Sequence, residues 1–328
     1  MRVIVSPVTD RQAVVILCYY KIGALDEPPG YSGFSSFYGS MHGLFTTENQ
    51  KSYYSYRRLT ENGGFTQHFI THDSCYFLQV AAEEELNNAL WSESENIFLL
   101  SPTDAELKSL TDFSVDYARR FGPQNTLFNA RTWIFNQLFL SHPGYADSLI
   151  GNPAQISSWT TGDILKQIRR FKDPAQVILV VTGAFEPLQA QDSIQKYFEV
   201  TGNTEPSVFP AVTPSQASKS APIRKRSWWR EGLDHHYLLV GYRLPGMVGS
   251  EKTSNEEYFV SLALFHYLIN PGINHLGYMI NQVNDLKVSV AAEITRNIHE
   301  NAILISLGSA DRTSLEKARL IITAELEA

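Results

Sequence analysis

The chain has 328 residues, with 27 Lys and Arg against 34 Asp and Glu, which gives a formal net charge of -7 at pH 7. This balance argues against nucleic acid as a partner, because binding to phosphates needs clustered cations. Hydrophobic residues make up 43% of the chain and charged residues 19%. The composition therefore predicts a globular protein with one or two cores and excludes an intrinsically disordered chain.

Cysteine usage and apolar runs exclude two further classes. Cys18 and Cys75 both lie in apolar runs, so they predict neither a disulfide framework nor a cysteine-based zinc site. The longest apolar run, 13–20, has eight residues, whereas a membrane-spanning helix needs about 20. We therefore expect no membrane span, and the sequence leaves the compartment, cytoplasmic or periplasmic, open.

One segment divides the chain. Residues 202–222 are rich in Pro, Ser and Thr, a composition that stays extended and solvated, so they predict an interdomain linker. The linker separates a first module at 1–201 from a second segment at 223–328.

Hydrophobic periodicity and turn residues predict the elements of the first module. In chain order they are a buried strand at 14–23, helices at 33–45 and 48–62, strands at 65–70 and 75–82, helices at 83–100, 104–121, 126–139 and 161–171, and a buried strand at 175–185.

The second segment repeats part of this order. It predicts a strand at 237–245, a helix at 256–269, strands at 287–295 and 302–308, and a helix at 311–326. Pairing Tyr20 with Tyr242, and Cys75 with Ala302, gives nearly the same offset, which favours an internal duplication. The second copy stops before any counterpart of residues beyond about 101, so we expect it to be truncated.

Four stretches resemble motifs of peptidase family M16, the pitrilysin, insulinase and mitochondrial-processing-peptidase group. They occur in the family's order: YYKIGALDEPPGYSGFSSFYGSM (19–41), NGGFTQHFITHDSCYF (62–77), SHPGYADSLIG (141–151) and PAQVILVVTGAFEP (174–187). They resemble the family's first strand with its Gly-x-x-x-Glu turn and zinc helix, its double-glycine strand pair, its His-Pro-x-Gly stretch and its closing strand. The resemblance implies an α+β fold, in which a duplicated module has a mostly antiparallel sheet backed by helices.

The zinc-binding residues of that family are missing. Its zinc helix carries His-x-x-Glu-His, two ligands one helical turn apart and a glutamate that takes a proton from the metal-bound water. In register with Gly33, the two histidine positions are Ser36 and Ser40 and the glutamate position is Gly39. The family's distal carboxylate ligand falls at Asp116, which would stand alone. The resemblance therefore implies no catalytic zinc, no other cofactor and no peptidase activity.

Positions that hold the substrate also depart from the family. The Asn after the double glycine is Gln67 here. In the second copy, active members supply an Arg and a Tyr that grip the substrate backbone, and the matching stretch offers Asn281 and Val288. The grip on substrate expected of an active enzyme is thus weakened as well.

These features favour a non-catalytic M16-like subunit that pairs with an active zinc peptidase subunit, or with a second copy of itself, to enclose peptides. One alternative is a zinc metallopeptidase with displaced ligands drawn from His42, His68, His72 and Asp116. Another is a stand-alone peptide-binding or structural module that uses an open sheet edge.

Three other clusters have simpler explanations. His68 and His72, which lie near Asp73, are predicted to lie at an exposed polar hairpin tip. The basic-aromatic patch around Trp228 and Trp229 is more consistent with a strand start than with a nucleic-acid site. The tyrosine-rich stretch 51–59 is predicted to be a helix that buries its rings against the sheet.

Overall fold

The computed structural model describes residues 1–8, 12–122, 126–140, 142–199, 235–246, 252–269 and 274–327. The predicted linker at 202–222 and the patch around Trp228 lie outside these residues.

Strands and helices follow one another through the described chain. Up to residue 199 they are β1 (Arg2–Pro7), β2 (Ala13–Tyr20), α1 (Phe34–Gly39), α2 (Tyr54–Glu61), β3 (Phe65–Ile70), β4 (Cys75–Ala82), α3 (Leu86–Phe98), α4 (Asp104–Phe121), α5 (Thr126–Leu138), α6 (Pro153–Ile156), α7 (Thr161–Phe171), β5 (Val177–Gly183) and α8 (Pro187–Phe198). From residue 235 on they are β6 (His236–Pro245), α9 (Lys252–Ile269), α10 (His275–Tyr278), which continues into a π-helical turn at Met279–Val283, β7 (Ser289–Ile294), β8 (Glu300–Ser309) and α11 (Arg312–Glu327). Within these ranges no helix is long and apolar enough to cross a bilayer.

The described chain forms two compact units. The first contains the residues up to Gly122 and those from Ser148 to 199, and the second contains the residues between Gly122 and Ser148 and those from 235 on. Helix α5 therefore packs with the second unit although it precedes the predicted linker. The close approach is possible because Gly241 lies on β6, where a Cβ would come within 2.6 Å of the Ile134 side chain of α5. The boundaries at 201 and 222 stay predictions.

The first unit is built on a five-stranded sheet in the order β1-β5-β2-β4-β3. Strand β1 runs parallel to β5, and the other neighbours are antiparallel. Alternate side chains of β2, β4 and β5 are buried against helices, as the period of two requires. The prediction of a mostly antiparallel sheet backed by helices is confirmed.

The second unit repeats part of this topology. Its sheet has the order β6-β8-β7, which matches β2-β4-β3 with the same antiparallel pairing. A helix follows the hairpin in both units, α3 after β4 and α11 after β8. Tyr20 lies opposite Cys75 in the first sheet, whereas Tyr242 lies opposite Ile303 in the second, one residue from the predicted partner Ala302. The repeated topology supports an internal duplication, with its alignment corrected by one residue.

Two predicted helices are shorter in the structure. The helix predicted at 33–45 is regular only over Phe34–Gly39 and continues as turns to Gly43, which adopts a left-handed φ of +75°. The helix predicted at 48–62 begins at Tyr54. Its neighbours Tyr53 and Tyr56 are exposed, as is Tyr54, so the prediction that this helix buries its tyrosines against the sheet is wrong.

Four elements were absent from the prediction: the four-residue helices α6 and α10, strand β1 and helix α8. Strand β1 lies at the sheet edge and all its side chains are exposed, so its sequence carries no alternation of buried and exposed residues. Helix α8 begins at Pro187, which favours the first position of a helix because its missing N–H is not needed there.

A close crossing of two glycines sets the start of α1. Gly33 precedes the helix with φ of +92°, and Gly151 approaches it with φ of +88°. A Cβ on Gly33 would lie 2.5 Å from the Gly151 Cα, and a Cβ on Gly151 would lie 2.4 Å from the Ser32 carbonyl oxygen. Both distances are far below van der Waals contact, so only glycine fits at either position.

We predict that Gly33→Ala and Gly151→Ala each lower the free energy of unfolding by about 3 kcal/mol or more, since a Cβ would both force a backbone shift and strain a left-handed φ. Gly30→Ala is the matched control, because Gly30 has a φ of +90° with no atom within 4 Å of its Cβ position. Gly30→Ala should lower the free energy of unfolding only by the strain of a left-handed alanine, about 1–2 kcal/mol. Urea unfolding measures all three, and equal losses would show that the crossing is not tightly packed.

Candidate functional site

The site expected from the sequence is centred on α1, whose N-terminus is held by Glu27. The Glu27 carboxylate accepts hydrogen bonds from the backbone N–H groups of Gly33 and Ser35, both at 2.7 Å. A carboxylate here satisfies N–H groups that have no partner within the helix and complements the helix dipole. The Gly-x-x-x-Glu turn, Gly23 to Glu27, thus fixes the start of the helix.

The two serines at the histidine positions are engaged with backbone carbonyls. The Ser36 Oγ donates to the carbonyl oxygen of Leu149 at 2.7 Å, and the Ser40 Oγ donates to the carbonyl oxygen of Ser36 at 3.0 Å. A neutral hydroxyl is a poor zinc ligand, and these two have a structural role already. The donor set on α1 therefore does not fit a zinc ion.

Gly39, at the position of the catalytic glutamate, faces strand β3. A Cβ built on Gly39 would lie 2.8 Å from Ile70 Cδ1 and 3.2 Å from His68 Cδ2. Glycine has no side chain that could act as a base. A side chain at this position would have to displace the end of the Ile70 side chain.

Asp116 lies on an exposed face of α4. Its Oδ2 is 2.9 Å from the Arg120 guanidinium one turn along the same helix. Such an exposed pair contributes little to stability. The structure thus places this carboxylate in a surface ion pair.

The alternative zinc ligands are not grouped into one set among the described residues. His68 lies on the edge strand β3, and the pKa of its imidazole is lowered by partial burial and then by the nearby His42. His72 lies in the β3–β4 turn, where its carbonyl oxygen accepts from the Leu25 N–H at 2.9 Å. The predicted hairpin turn is present and His68 is exposed. However, His72 and Asp73 are half-buried against residues 23–25, so the prediction of an exposed tip is wrong for these two residues. Across the described ranges no three His, Cys, Asp or Glu side chains are grouped so as to hold a metal ion.

His42 belongs to a buried polar cluster that sequence reasoning missed. Its Nε2 lies 2.9 Å from Glu93 Oε2, and its ring stacks on Phe77 at a centroid distance of 3.8 Å. The other Glu93 oxygen accepts from Gln79, and burial, with the Glu93 charge second, raises the pKa of the nearby Cys18 thiol. No sequence signal marked Glu93, because the segment SESEN in α3 has the composition of an exposed helical face.

Further acceptors on α3 hold the chain that follows α1. Glu95 accepts from the Thr47 hydroxyl at 2.7 Å and from the Asn49 amide at 2.8 Å. Asn96 accepts from the Gly43 N–H at 2.9 Å. The turns after the short helix are therefore fixed by side chains of α3.

The two positions matched to the substrate-gripping Arg and Tyr bind each other. The Asn281 side chain donates to the Val288 carbonyl oxygen and accepts from the Val288 N–H, each at 2.9 Å. An amide that satisfies both backbone groups of one residue acts as a structural clamp. This clamp joins the π-helical turn to the segment before β7.

Comparisons with known proteins agree with this fold. No protein-family model matches the chain. Zinc protease PqqE of Helicobacter pylori is 21% identical over 333 residues, covering 100% of this chain and 72% of that protein. The crystal structure of a protease from Helicobacter pylori matches with a TM-score of 0.83 at 19% identity, covering 99% of this chain and 77% of the other. A peptidase M16 inactive domain from Pseudomonas fluorescens matches with a TM-score of 0.75 at 12% identity, covering 99% and 76%. The chain therefore has the fold of M16-like peptidases, and the resemblance seen in its sequence is confirmed.

We predict that Glu93→Ala lowers the free energy of unfolding by about 3–5 kcal/mol, because it leaves His42 and Gln79 buried without their shared partner. Asp112→Ala is the control, since it removes an exposed ion pair with Lys108 and should cost less than about 1 kcal/mol. Thermal and urea unfolding give both values. A loss for Glu93→Ala no larger than for Asp112→Ala would show that the buried pair does not stabilise the fold.

Proposed function

We propose that this chain is a non-catalytic M16-like subunit that pairs with a zinc-bearing M16 chain, or with a second copy of itself, to enclose peptides. The proposal rests on the side chains at the three positions that hold the zinc ligands and the base in active members of the family. Ser36 and Ser40 have hydroxyls bonded to carbonyl oxygens, and Gly39 has no side chain. Neither metal binding nor proton transfer is available from these residues.

The intact packing around α1 supports a structural role for this chain rather than a catalytic one. Helix α1 keeps its cap, its glycine crossing and a buried apolar face formed by Phe34, Phe37 and Met41. A solved protein of this fold is described as an inactive domain, so the fold occurs in a chain with that description. A chain that keeps the fold around α1 but lacks zinc ligands and a base suits a subunit that helps to enclose peptides without cleaving them.

The edge strand β3 supports the peptide part of the proposal. It is bonded to β4 on one side, and as the last strand of the sheet it presents backbone N–H and C=O groups on the other. Phe65 and Phe69 are 49% and 39% exposed on this strand. An extended peptide can add to such an edge through backbone hydrogen bonds, with side-chain contacts giving preference. The same observation favours the second candidate, a stand-alone peptide-binding module.

We predict that the purified chain contains well under one zinc per chain and does not cleave peptides, because α1 supplies neither ligands nor a base. Elemental analysis and a quenched-peptide assay with and without chelator measure this. About one zinc per chain together with chelator-sensitive cleavage would overturn the proposal.

A variant that restores the zinc-binding motif tests whether the surrounding fold can still hold the metal. The triple variant Ser36→His, Gly39→Glu and Ser40→His should bind zinc no more tightly than a generic pair of histidines one turn apart, because Asp116 lies on an exposed face of α4. Lys108→His with Asp112→His, on the exposed face of α4, is the matched control. Much tighter binding by the restored variant, with a far-ultraviolet spectrum like that of the parent, would show that a third ligand is within reach.

A further inference from the structure

Helix α4 carries an exposed row of aromatic rings. Phe113, Tyr117 and Phe121, called here the aromatic stripe, are 61%, 43% and 51% exposed. They are spaced by four residues and lie on one face, with ring centroids 6.0 Å apart between the first two and 4.7 Å apart between the last two. Three large rings left together in solvent indicate an interaction surface.

The stripe is not needed to hold α4 in place. The helix buries a different face, formed by Leu107, Leu110, Val115 and Ala118. Its N-terminus is closed by Thr103 and Glu106, which cap each other's backbone N–H groups. The helix is therefore anchored independently, and its aromatic stripe is available to a partner.

The charges beside the stripe indicate what that partner is. Asp112 and Asp116 flank its N-terminal half, Arg119 and Arg120 flank its C-terminal half, and all four are exposed. If two copies of α4 pair antiparallel about Tyr117, each acidic half faces the basic half of the other copy. The same symmetry places Phe113 against Phe121 of the second copy. The surface is thus self-complementary in both charge and shape, as an isologous two-fold contact requires.

The ion pairs within α4 do not oppose this arrangement. Asp116 pairs with Arg120, and Lys108 with Asp112, within the same helix. Exposed pairs of this kind are weak, so their members can exchange partners across an interface at little cost. The chain carries a net charge of -7, but the flanks of the stripe hold two acids and two bases, so repulsion is low there.

We propose that the aromatic stripe of α4 is a homodimer interface, with the α4 helices of two copies antiparallel across a two-fold axis at Tyr117. This inference deepens the proposed function by naming the partner as a second copy of the same chain. Six rings and their flanks would bury on the order of 1,000 Å², at the low end of specific interfaces, so we expect weak association.

Sedimentation velocity on the full chain from about 1 to 100 μM tests the interface. The parent chain should form dimers in this range. One double variant, Asp112→Arg with Asp116→Arg, makes all four charged flanks of the stripe basic. The other, Arg119→Glu with Arg120→Glu, makes all four acidic. Each double variant alone should be monomeric, and an equimolar mixture of the two should recover the dimer. A matched charge exchange on α11, Glu316→Arg with Arg319→Glu, should leave the parent dimer intact.

Cross-linking locates the two-fold axis. Tyr117→Cys should give a covalent dimer on mild oxidation, because each residue lies opposite its own copy. Leu188→Cys, at a site 76% exposed on α8, should not. Cys18 and Cys75 are fully buried and do not compete.

The outcomes separate this inference from the proposed function. The α4 interface is overturned if the parent chain stays monomeric at 100 μM, or if neither charge variant affects the dimer. The zinc assay then still tests the non-catalytic proposal independently. Dimers that respond as expected, in a preparation with one zinc per chain and chelator-sensitive cleavage, support the interface and overturn the non-catalytic proposal. A stripe that binds only a zinc-bearing M16 chain, with no self-association, also overturns the homodimer.

Discussion

The contact between two glycine backbones determines much of what surrounds α1. Gly33 and Gly151 meet at a separation that admits no side chain, and this brings the turn at 148–151 against the first turn of the helix. The Ser36 hydroxyl then finds the Leu149 carbonyl oxygen, and the Glu27 carboxylate closes the helix start from the other side. The short helix is stable because tertiary contacts, rather than its own length, hold it.

The interior near α1 contains a buried acidic group, Glu93, among its apolar side chains. Glu93 is fully buried, and its two oxygens are satisfied by His42 and Gln79. A buried carboxylate is tolerated only with such partners, because desolvation otherwise exceeds any gain. Since His42 follows α1 directly, its bond to α3 ties the end of that helix to the core, while the glycine crossing ties its beginning.

Much of the fold could be predicted because its elements have local signals. Strand β4 alternates between buried and half-buried residues, and Thr103 and Thr160 cap the first turns of α4 and α7. Strand β1 has no buried face, and the apolar spacing in 33–45 continues past the end of α1 at Gly39, so neither could be predicted from periodicity. For the site, the family register gave Ser36, Gly39 and Ser40 as candidates. The partners of His42 lie on a distant helix, and only the folded chain brings Glu93 to it.

The segment around α1 has a buried face that packs into the core and a half-exposed face that carries two of the motif positions. Phe34, Phe37 and Met41 face the core and are almost fully buried, whereas Ser36 and Ser40 lie on the opposite, half-exposed side. A change on the half-exposed side costs little packing energy, so ligands can be absent there while the scaffold stays intact. Gly39 differs, because it is buried against β3 and its lack of a side chain allows Ile70 and His68 to approach. The absence of a base at Gly39 is therefore part of the packing between α1 and the edge strand, and a side chain added there would have to displace the end of the Ile70 side chain.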